Sequence, residues 1–198
     1  MPLLHSPVMV TERVGVFGGT FDPVHVGHLT AACAARHQLA LDRVLLVVAA
    51  DPWQKRGHVV AAAEDRFAMV AAACEGVGGL EASRLEIDRG GPTYTADTLA
   101  VLARPGRELF LVLGADAAAG LDSWARPDEV RARATLAVVG RNGSPALPAG
   151  AVAVTMPQLD VSATDLRRRV AAGEPVDFLV PAPALMILRA RRLYTGAL

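Results

Sequence analysis

The chain alternates short, almost wholly aliphatic runs with longer stretches in which apolar residues recur every three or four positions. Uninterrupted runs such as residues 43–49 are typical of parallel β-strands covered on both faces, whereas the longer stretches are typical of helices. The predicted strands are residues 14–17, 43–49, 80–87, 108–113, 135–140 and 151–156. The predicted helices are residues 29–41, 61–75, 94–104, 162–172 and 182–192, with a further helix that starts at Pro127.

This alternation predicts an α/β fold, specifically a Rossmann-like, doubly wound, mainly parallel sheet with helices on both faces. Ligands of such folds bind outside the carboxyl ends of the strands. The polar segments that begin at Gly18, Asp51, Asp88 and Gly114 should therefore share one edge of the sheet with the helix start at Ser162. We expect them to converge on one cleft.

Length and composition favour a single folded domain. The chain has 198 residues, of which 52% are hydrophobic, enough for one sizeable core. We assign residues 13–198 to one domain and residues 1–12 to an N-terminal extension. The formal net charge is zero, so no global field recruits nucleic acid or an acidic membrane, and any anion site must be local.

Targeting signals and cysteine usage favour a cytoplasmic protein. Residues 1–12 lack a signal-peptide pattern, and the longest apolar run, residues 44–50, is far shorter than the ~20 residues of a membrane span. Cys33 and Cys74 lie in Ala-rich helical patterns without a CxxC motif, which favours free thiols in a reducing compartment. We expect no membrane partner, and the sequence leaves the oligomeric state open, a homo-oligomer included.

The strongest chemical signal is the segment GGTFDPVHVGH, residues 18–28, which follows the first predicted strand and leads into the first helix. Glycines let the backbone N–H groups of Gly18 to Thr20 approach a phosphate, and a helix N-terminus adds unpaired donors and partial positive charge. His25 and His28 are three residues apart and lie on one face of the first helical turn. There they can offer hydrogen bonds or positive charge to the same phosphate.

Two simpler interpretations of this segment stay open. The glycines could form only a tight turn, and Asp22, His25 and His28 are residue types that bind zinc. No HExxH motif or Cys-rich partner strengthens a metal site, so we assign no metal ligands to the protein. A Walker motif is absent, and the glycine spacing does not fit the dinucleotide-binding pattern GxGxxG.

Two other parts of the chain also suit phosphate. Lys55 is the only lysine, and its loop position suits a compact charge on a phosphate, with a chance surface lysine as an equal alternative. Ser162, Thr164 and Arg167 place two hydroxyls and a cation on the first turn of a predicted helix, which would form a second polyphosphate cradle. Ser162 can at the same time be an ordinary N-cap, with Asp165 completing a capping-box variant.

The segment at residues 18–28 resembles the signature of the HxGH nucleotidyltransferase superfamily, whose members transfer a nucleotidyl group from a nucleoside triphosphate to a phosphate or similar acceptor. Residues 162–167, SATDLR, resemble the SSTxIR motif of these enzymes, with Ala163 in place of a serine and Leu166 in place of the isoleucine. The missing hydroxyl puts one phosphate contact in doubt, whereas Ser162, Thr164 and Arg167 still match the motif.

Three more segments are similar to the bacterial nicotinate mononucleotide adenylyltransferases within this superfamily. They are YTADTL at residues 94–99, GAD at residues 114–116 followed by Leu121 and Trp124, and the WQK of residues 53–55. In the last segment Lys55 matches the family's Pro-His-Lys loop, whereas Gln54 replaces the histidine. The matches extend from residue 15 to residue 167, nearly the whole chain.

The resemblance implies a reaction in which ATP and nicotinate mononucleotide give nicotinate adenine dinucleotide and pyrophosphate. It assigns His28 to the α-phosphate, His25 to the triphosphate, and Arg167 and Lys55 to the departing pyrophosphate. Mg²⁺ would enter with ATP and be carried mainly by the phosphates, since it needs few protein ligands. The implied ATP-binding residues are Gly18, Gly19, Thr20, Phe21, His25, His28, Gly114, Asp116, Ser162, Thr164 and Arg167.

For the acceptor, the resemblance implies that Trp124 stacks on the pyridine ring, that Thr95 helps to hold the nicotinate carboxylate and that Lys55 also contacts substrate. A tryptophan face suits a flat cationic ring. The plain alternatives are that Trp124 is a core residue and that Thr95 caps a helix.

Three other functions stay open at this point. A pantetheine-phosphate or other mononucleotide adenylyltransferase of the same superfamily is the nearest, and residues 94–95 and Trp124 argue against it. An NAD(P)-binding oxidoreductase with Asp51 on a ribose is disfavoured by the glycine spacing. A non-catalytic nucleotide sensor rests only on Ala163 and Gln54, the two departures from the family motifs.

Overall fold

The computed structural model describes residues 11–51, 61–140 and 147–196. Within these residues six strands form one sheet in the order β3-β2-β1-β4-β5-β6, and each neighbouring pair is parallel. The doubly wound α/β fold predicted from the sequence is confirmed. The strands are β1 Glu12–Gly19, β2 Arg43–Val48, β3 Leu80–Ser83, β4 Arg107–Gly114, β5 Thr135–Gly140 and β6 Val152–Thr155.

The helices of the described residues cover both faces of this sheet. One large apolar cluster contains residues of the first, second, seventh and eighth helices, and a second cluster on the opposite face contains residues of the fourth, fifth and sixth. A 3-10 turn, Leu121–Ser123, precedes the sixth helix. The helices are α1 Val26–Gln38, α2 Ala63–Cys74, α3 Leu85–Arg89, α4 Thr95–Leu102, α5 Ala115–Ala119, α6 Pro127–Arg133, α7 Ala163–Ala171 and α8 Ala182–Ala190.

The strands are continuously apolar because both of their faces are buried. In β2, Val44 and Leu46 belong to the first cluster, whereas Leu45 and Val47 belong to the second. Successive side chains of a strand point to opposite faces, so a strand covered on both sides needs an apolar residue at every position. The aliphatic runs in the sequence therefore report this three-layer arrangement.

The predicted strand at residues 80–87 is wrong in its second half, because β3 ends at Ser83 and α3 follows directly. Leu85 packs against the second cluster and Ile87 against the first, whereas two residues at this spacing in a strand would face the same side. An ion pair of 3.2 Å from Arg84 to Asp88, four residues further on, supports the helical turn. The prediction of a turn beginning at Asp88 is displaced for the same reason, since the turn begins at Gly90 with a φ of +67°.

Other differences from the prediction are smaller. The first helix begins at Val26 rather than at residue 29, so His28 lies inside its first turn. Helix α5 and the 3-10 turn, which lie between β4 and α6, have no counterpart in the predicted elements. Both are shorter than two helical turns and therefore carry too few residues to show a periodic pattern.

A crevice forms where β1 and β4 separate. The two strands are paired only as far as Val16 and Leu111, after which β1 continues to Gly19 beside β2 and β4 continues to Gly114 beside β5. The order of connections reverses at this pair of strands, and such a point is where open parallel sheets bind ligands. The predicted ligand segments at Gly18 and Gly114 flank this crevice.

Some predictions fall outside the described residues. The domain division at residues 12 and 13 stays a prediction because residues 1–10 are not described, although β1 begins at Glu12. Residues 52–60, which include Lys55, are outside as well. Among the helices of the described residues, none is long and apolar enough to cross a membrane.

The packing of α2 against α8 leads to a test with two methionines. Met69 on α2 is 0% exposed and Met186 on α8 is 72% exposed. Replacing Met69 by Ala should lower the free energy of unfolding by about 2–5 kcal/mol, because a buried side chain is lost and a cavity remains. Met186→Ala should change it by less than about 0.5 kcal/mol. Urea unfolding of both variants measures the difference, and equal effects would contradict the assigned core.

Candidate active site

The glycines of the motif, Gly18 and Gly19, are the last residues of β1 and pair with β2, so the alternative that they form only a tight turn is wrong. Their surroundings differ. A Cβ atom built on Gly18 would meet open space, whereas one on Gly19 would lie 2.8 Å from the ring of Phe21. Gly19 is therefore required for the Phe21 ring to fold back over the turn, and Gly18 leaves the strand end open to a ligand. Phe21 itself is buried, with a positive φ of 50°.

The two motif histidines stack on one another at the start of α1. Their ring centroids are 3.6 Å apart, and the backbone N–H of His25 donates to Nδ1 of His28 over 3.2 Å. Because Nδ1 of His28 accepts a hydrogen bond, the proton of the neutral ring lies on Nε2, which can donate. The edge of the Phe21 ring, 4.9 Å from that of His28, further restricts its orientation.

His25 is the more buried of the two positions and behaves as a neutral group. Its side chain lies among buried residues, and its Nδ1 has no hydrogen-bond partner among the residues that the structure describes. Burial lowers the pKa of His25 from 6.5 to about 4. At neutral pH the side chain therefore offers hydrogen bonds, and the positive charge that the sequence allows for it is absent in this state.

The helix α7 brings the second predicted phosphate segment to the same place. Arg167 donates from Nη1 to the carbonyl oxygen of Asp22 over 2.8 Å and from Nη2 to Oγ1 of Thr164 over 3.4 Å. Ser162 is the N-cap of this helix and accepts from the N–H of Asp165 over 3.2 Å, as the capping interpretation predicted. The carboxylate of Asp165 instead pairs with Arg168 and Arg169.

The segment that leads into α1 packs closely against the start of α7. Leu166 on α7 is 0% exposed and belongs to the same cluster as Phe21 and Val24. A Cβ atom on Gly27 would lie 3.1 Å from the side chain of Val161, so the small residue of the HxGH motif allows α7 to approach α1. The N-terminal parts of α1 and α7, which carry His28 and Arg167, therefore lie next to each other.

Asp22 is buried, and its carboxylate contacts three distant segments of the chain, which the sequence does not reveal. Its carboxylate oxygen Oδ1 accepts from the hydroxyl of Tyr194 over 2.7 Å and from the N–H of Ala61 over 3.2 Å, and Oδ2 lies 3.7 Å from Arg167. Burial, followed by the Asp22 charge, raises the pKa of Tyr194, which keeps its hydroxyl proton in place to donate. Tyr194 is 172 residues from Asp22, so no local pattern could have joined them.

Thr95 and Trp124, the predicted acceptor residues that the structure describes, belong to segments on the opposite face of the sheet. Thr95 is the first residue of α4, whose N-cap is Tyr94, so the alternative of Thr95 as the cap is wrong. Trp124 is partly buried against the second cluster. Arg126, two residues later, pairs with Asp97 at 2.6 Å and lies over the Tyr94 ring at 5.9 Å, which joins the segments of Thr95 and Trp124.

Two further features belong to this side. Gly114 ends β4 and faces open space, and Asp116 is exposed on the first turn of α5. The buried carboxyl of Glu86 accepts from the hydroxyl of Thr98 over 2.6 Å, and burial raises its pKa. The sequence pattern puts Glu86 in a strand, and so it does not reveal this contact.

The zinc alternative gains no support from the geometry. In the part of the chain that the structure describes, no group of three His, Cys, Asp or Glu side chains is placed to hold a metal ion. Asp22, the acidic member of the proposed set, receives the hydroxyl of Tyr194 and a backbone N–H on one carboxylate oxygen.

The parallel sheet carries an HxGH motif at the start of α1, where the order of connections reverses, and the hydroxyl-bearing N-terminus of α7 faces it. This is the architecture of a nucleotidyltransferase. The family model described as cytidylyltransferase-like matches residues 16–169. The chain belongs to this cytidylyltransferase-like family, on the branch of the nicotinate-nucleotide adenylyltransferases.

The relatives that define the branch cover nearly the whole chain. A probable nicotinate-nucleotide adenylyltransferase of Saccharopolyspora erythraea is 45% identical over 192 residues, with 93% of this chain and 91% of the relative covered. One with the same name from Streptomyces coelicolor is 44% identical over 186 residues, with 90% and 99% covered.

Solved structures agree on the fold. A Plasmodium falciparum nicotinic acid mononucleotide adenylyltransferase, solved in complexes with APC and with NaAD, superposes with a TM-score of 0.76 and covers 94% of this chain and 98% of its own. Its identity to this chain is 13–14%, so this similarity bears on the fold alone.

The lowered pKa of His25 predicts how stability depends on pH. The unfolded chain binds a proton at this position below pH 6.5, whereas the folded protein resists protonation until about pH 4. Stability should therefore fall as the pH drops from 6.5 to 4, by at most about 3 kcal/mol from this group. His25→Gln should lose that part of the pH dependence in urea unfolding measured across this range.

His37, exposed in the last turn of α1, provides the matched control. His37→Gln should keep the pH dependence of the wild type. If the free energies of unfolding of His25→Gln and the wild type change equally between pH 6.5 and 4, the assignment of His25 as a buried neutral group is wrong.

Proposed function

We propose that this protein transfers the adenylyl group of ATP to nicotinate mononucleotide, producing nicotinate adenine dinucleotide and pyrophosphate. The observation that carries the proposal is the hydrogen bond from Arg167 to the carbonyl oxygen of Asp22. It joins the helix that starts at Ser162 to the segment that leads into the HxGH motif. Two phosphate-binding segments from distant parts of the chain thereby face one polyphosphate. The relatives' printed names supply the acceptor.

The reaction requires positioning and charge stabilisation more than acid–base chemistry. A phosphate monoester is already largely dianionic at pH 7, since its second pKa is about 6, so the acceptor can attack the α-phosphorus without a general base. His28 donates from Nε2 to the α-phosphate as charge builds up in the transition state. His25 and the backbone of Gly18 to Thr20 hold the triphosphate, and Asp116 and Gly114 lie on the adenosine side.

Arg167 stabilises the negative charge on the leaving pyrophosphate, together with Lys55, which is outside the described residues. The guanidinium of Arg167 is held by Asp22 and Thr164, with a side chain only 11% exposed, so it is fixed before a ligand arrives. Ser162 and Thr164 add hydroxyl donors at the N-terminus of α7.

Mg²⁺ is proposed to accompany ATP. The donor set fits an ion carried by phosphate oxygens and water, because the described residues provide no cluster of three potential ligands and Mg²⁺ retains several waters. When bound, the ion neutralises part of the triphosphate charge. A reaction that consumes ATP also fits the cytoplasmic location expected from the sequence.

For the acceptor, we propose that Trp124 stacks on the pyridine ring and that Thr95 donates to the nicotinate carboxylate. The pair formed by Arg126 and Asp97 keeps the two segments together. A carboxylate beside the first turn of α4 is also favoured by the unpaired N–H groups and dipole of the helix N-terminus.

Competing acceptors test the function directly. Pyrophosphate release from ATP should be supported by nicotinate mononucleotide, more weakly by its amide, and not by 4′-phosphopantetheine. Turnover with 4′-phosphopantetheine alone would favour the neighbouring activity in the superfamily, and absence of turnover with every acceptor would favour a nucleotide sensor.

Replacing His28 by Ala should lower kcat by ~10²–10³, because a donor that acts in the transition state is removed. The KM values of both substrates should change little. His37→Ala, on the same helix but exposed, is the control and should keep the wild-type kcat. Steady-state pyrophosphate release measures both, and near-wild-type turnover of the His28 variant would contradict the assignment.

Trp124→Ala should raise the KM for nicotinate mononucleotide by about 10-fold or more, since stacking on an aromatic side chain contributes about 1–3 kcal/mol per base. The KM for ATP should stay within about 2-fold of the wild type. Trp124→Phe keeps an aromatic face and should recover most of the acceptor affinity. An equal rise in both KM values would instead indicate a core role for Trp124.

A further inference from the structure

A buried arginine on α2 lies beneath the phosphate-binding turn and has no role in the reaction described so far. Arg66 is 1% exposed, and its guanidinium donates to three backbone carbonyls. The bonds run from Nη1 to Thr20 over 2.7 Å, from Nε to Ala61 over 3.1 Å and from Nη2 to Ala50 over 3.3 Å. One side chain thus connects the residues that follow β1 and β2.

The bond to Thr20 fixes the direction of a donor on the other side of the same peptide. The peptide between Thr20 and Phe21 is trans, so its C=O and N–H point in opposite directions. With the carbonyl held by Arg66, the N–H of Phe21 points away from α2. Among the described residues this N–H has no hydrogen-bond partner.

An unpaired backbone N–H in a buried residue is rare in proteins and needs an acceptor. Phe21 is only 2% exposed and lies between the glycines of the turn and the stacked histidines. A phosphate oxygen of a nucleotide supplies the missing acceptor. We propose that Arg66 is a positioning residue, which orients the N–H of Phe21 toward a nucleotide phosphate by holding the carbonyl of Thr20. This inference rests on the proposed function.

An arginine suits this position better than other cations. Its planar group carries five N–H donors in a fixed fork, so it can hold three carbonyls at once, whereas the lysine ammonium is a compact point charge. Burial lowers the pKa of Arg66, and the nearby charge of Asp22 opposes that shift. An arginine keeps its charge under these conditions because its ordinary pKa exceeds 12.

The test compares Arg66→Met and Arg66→Lys with Met69→Ala. Met69 is fully buried one turn further along the same helix, and its thioether has no N–H to donate to the carbonyl of Thr20, so it reports loss of stability alone. The readouts are thermal stability, the KM of each substrate, and the ¹⁵N–¹H signal of Phe21 during separate titrations with ATP and with nicotinate mononucleotide. The two titrations identify which nucleotide provides the phosphate.

In the wild type, the Phe21 signal should shift with one of the two nucleotides. Arg66→Met should raise the KM for that nucleotide by about 10- to 100-fold and reduce the shift, because small displacements of a binding group are costly. Arg66→Lys should give an intermediate loss. Met69→Ala should lower the melting temperature yet keep the KM within about 2-fold. If Arg66→Met does not fold, Arg66→Lys decides by the same criterion.

Two results would overturn the inference. One is a Phe21 signal that does not respond to either nucleotide in the wild type. The other is an Arg66 variant that folds, loses stability as Met69→Ala does and keeps the wild-type KM and Phe21 shift. Turnover of ATP with nicotinate mononucleotide in the same preparations would leave the proposed function intact in both cases.

Discussion

The site depends on the contacts that the buried carboxylate of Asp22 makes with its surroundings. Asp22 lies three residues after the end of β1, and its oxygens face the hydroxyl of Tyr194, the N–H of Ala61 and the guanidinium of Arg167. A buried carboxylate is costly unless donors surround it. These contacts bring three distant segments to the end of β1, so the same buried carboxylate also assembles the surface that we propose to bind phosphate.

The sheet provides the second condition. Because β1 and β4 stop pairing after Val16 and Leu111, their last residues diverge and leave space between Gly18 and Gly114. Helices on the two faces then contribute different chemistry. The face of α1 and α7 carries the histidines, hydroxyls and arginine that we propose for phosphate. The face of α4 and α6 carries the aromatic side chain and the helix start that we propose for the acceptor ring and its carboxylate.

The sequence predicts those features that depend on neighbouring residues. The aliphatic runs locate the strands, the motif at residues 18–28 locates the connection from β1 to α1, and Ser162 is recognisable as a helix cap from the residues that follow it. Contacts between distant positions cannot be obtained in this way. Arg66 looks like an ordinary polar residue between Asp65 and Phe67, and its burial follows only from the packing of α2 against the residues that follow β1 and β2. The pattern around Glu86 indicates a strand because its neighbours Leu85 and Ile87 alternate with polar residues.

The bond between Tyr194 and Asp22 has a consequence for the end of the chain. Terminal residues usually tolerate trimming and fusion because few contacts depend on them. The phenol of Tyr194, however, donates to the buried carboxylate of Asp22, so removing it would leave that acid without one of its donors. The residues around Tyr194 are therefore part of the support of Asp22, although they lie 172 residues away from it.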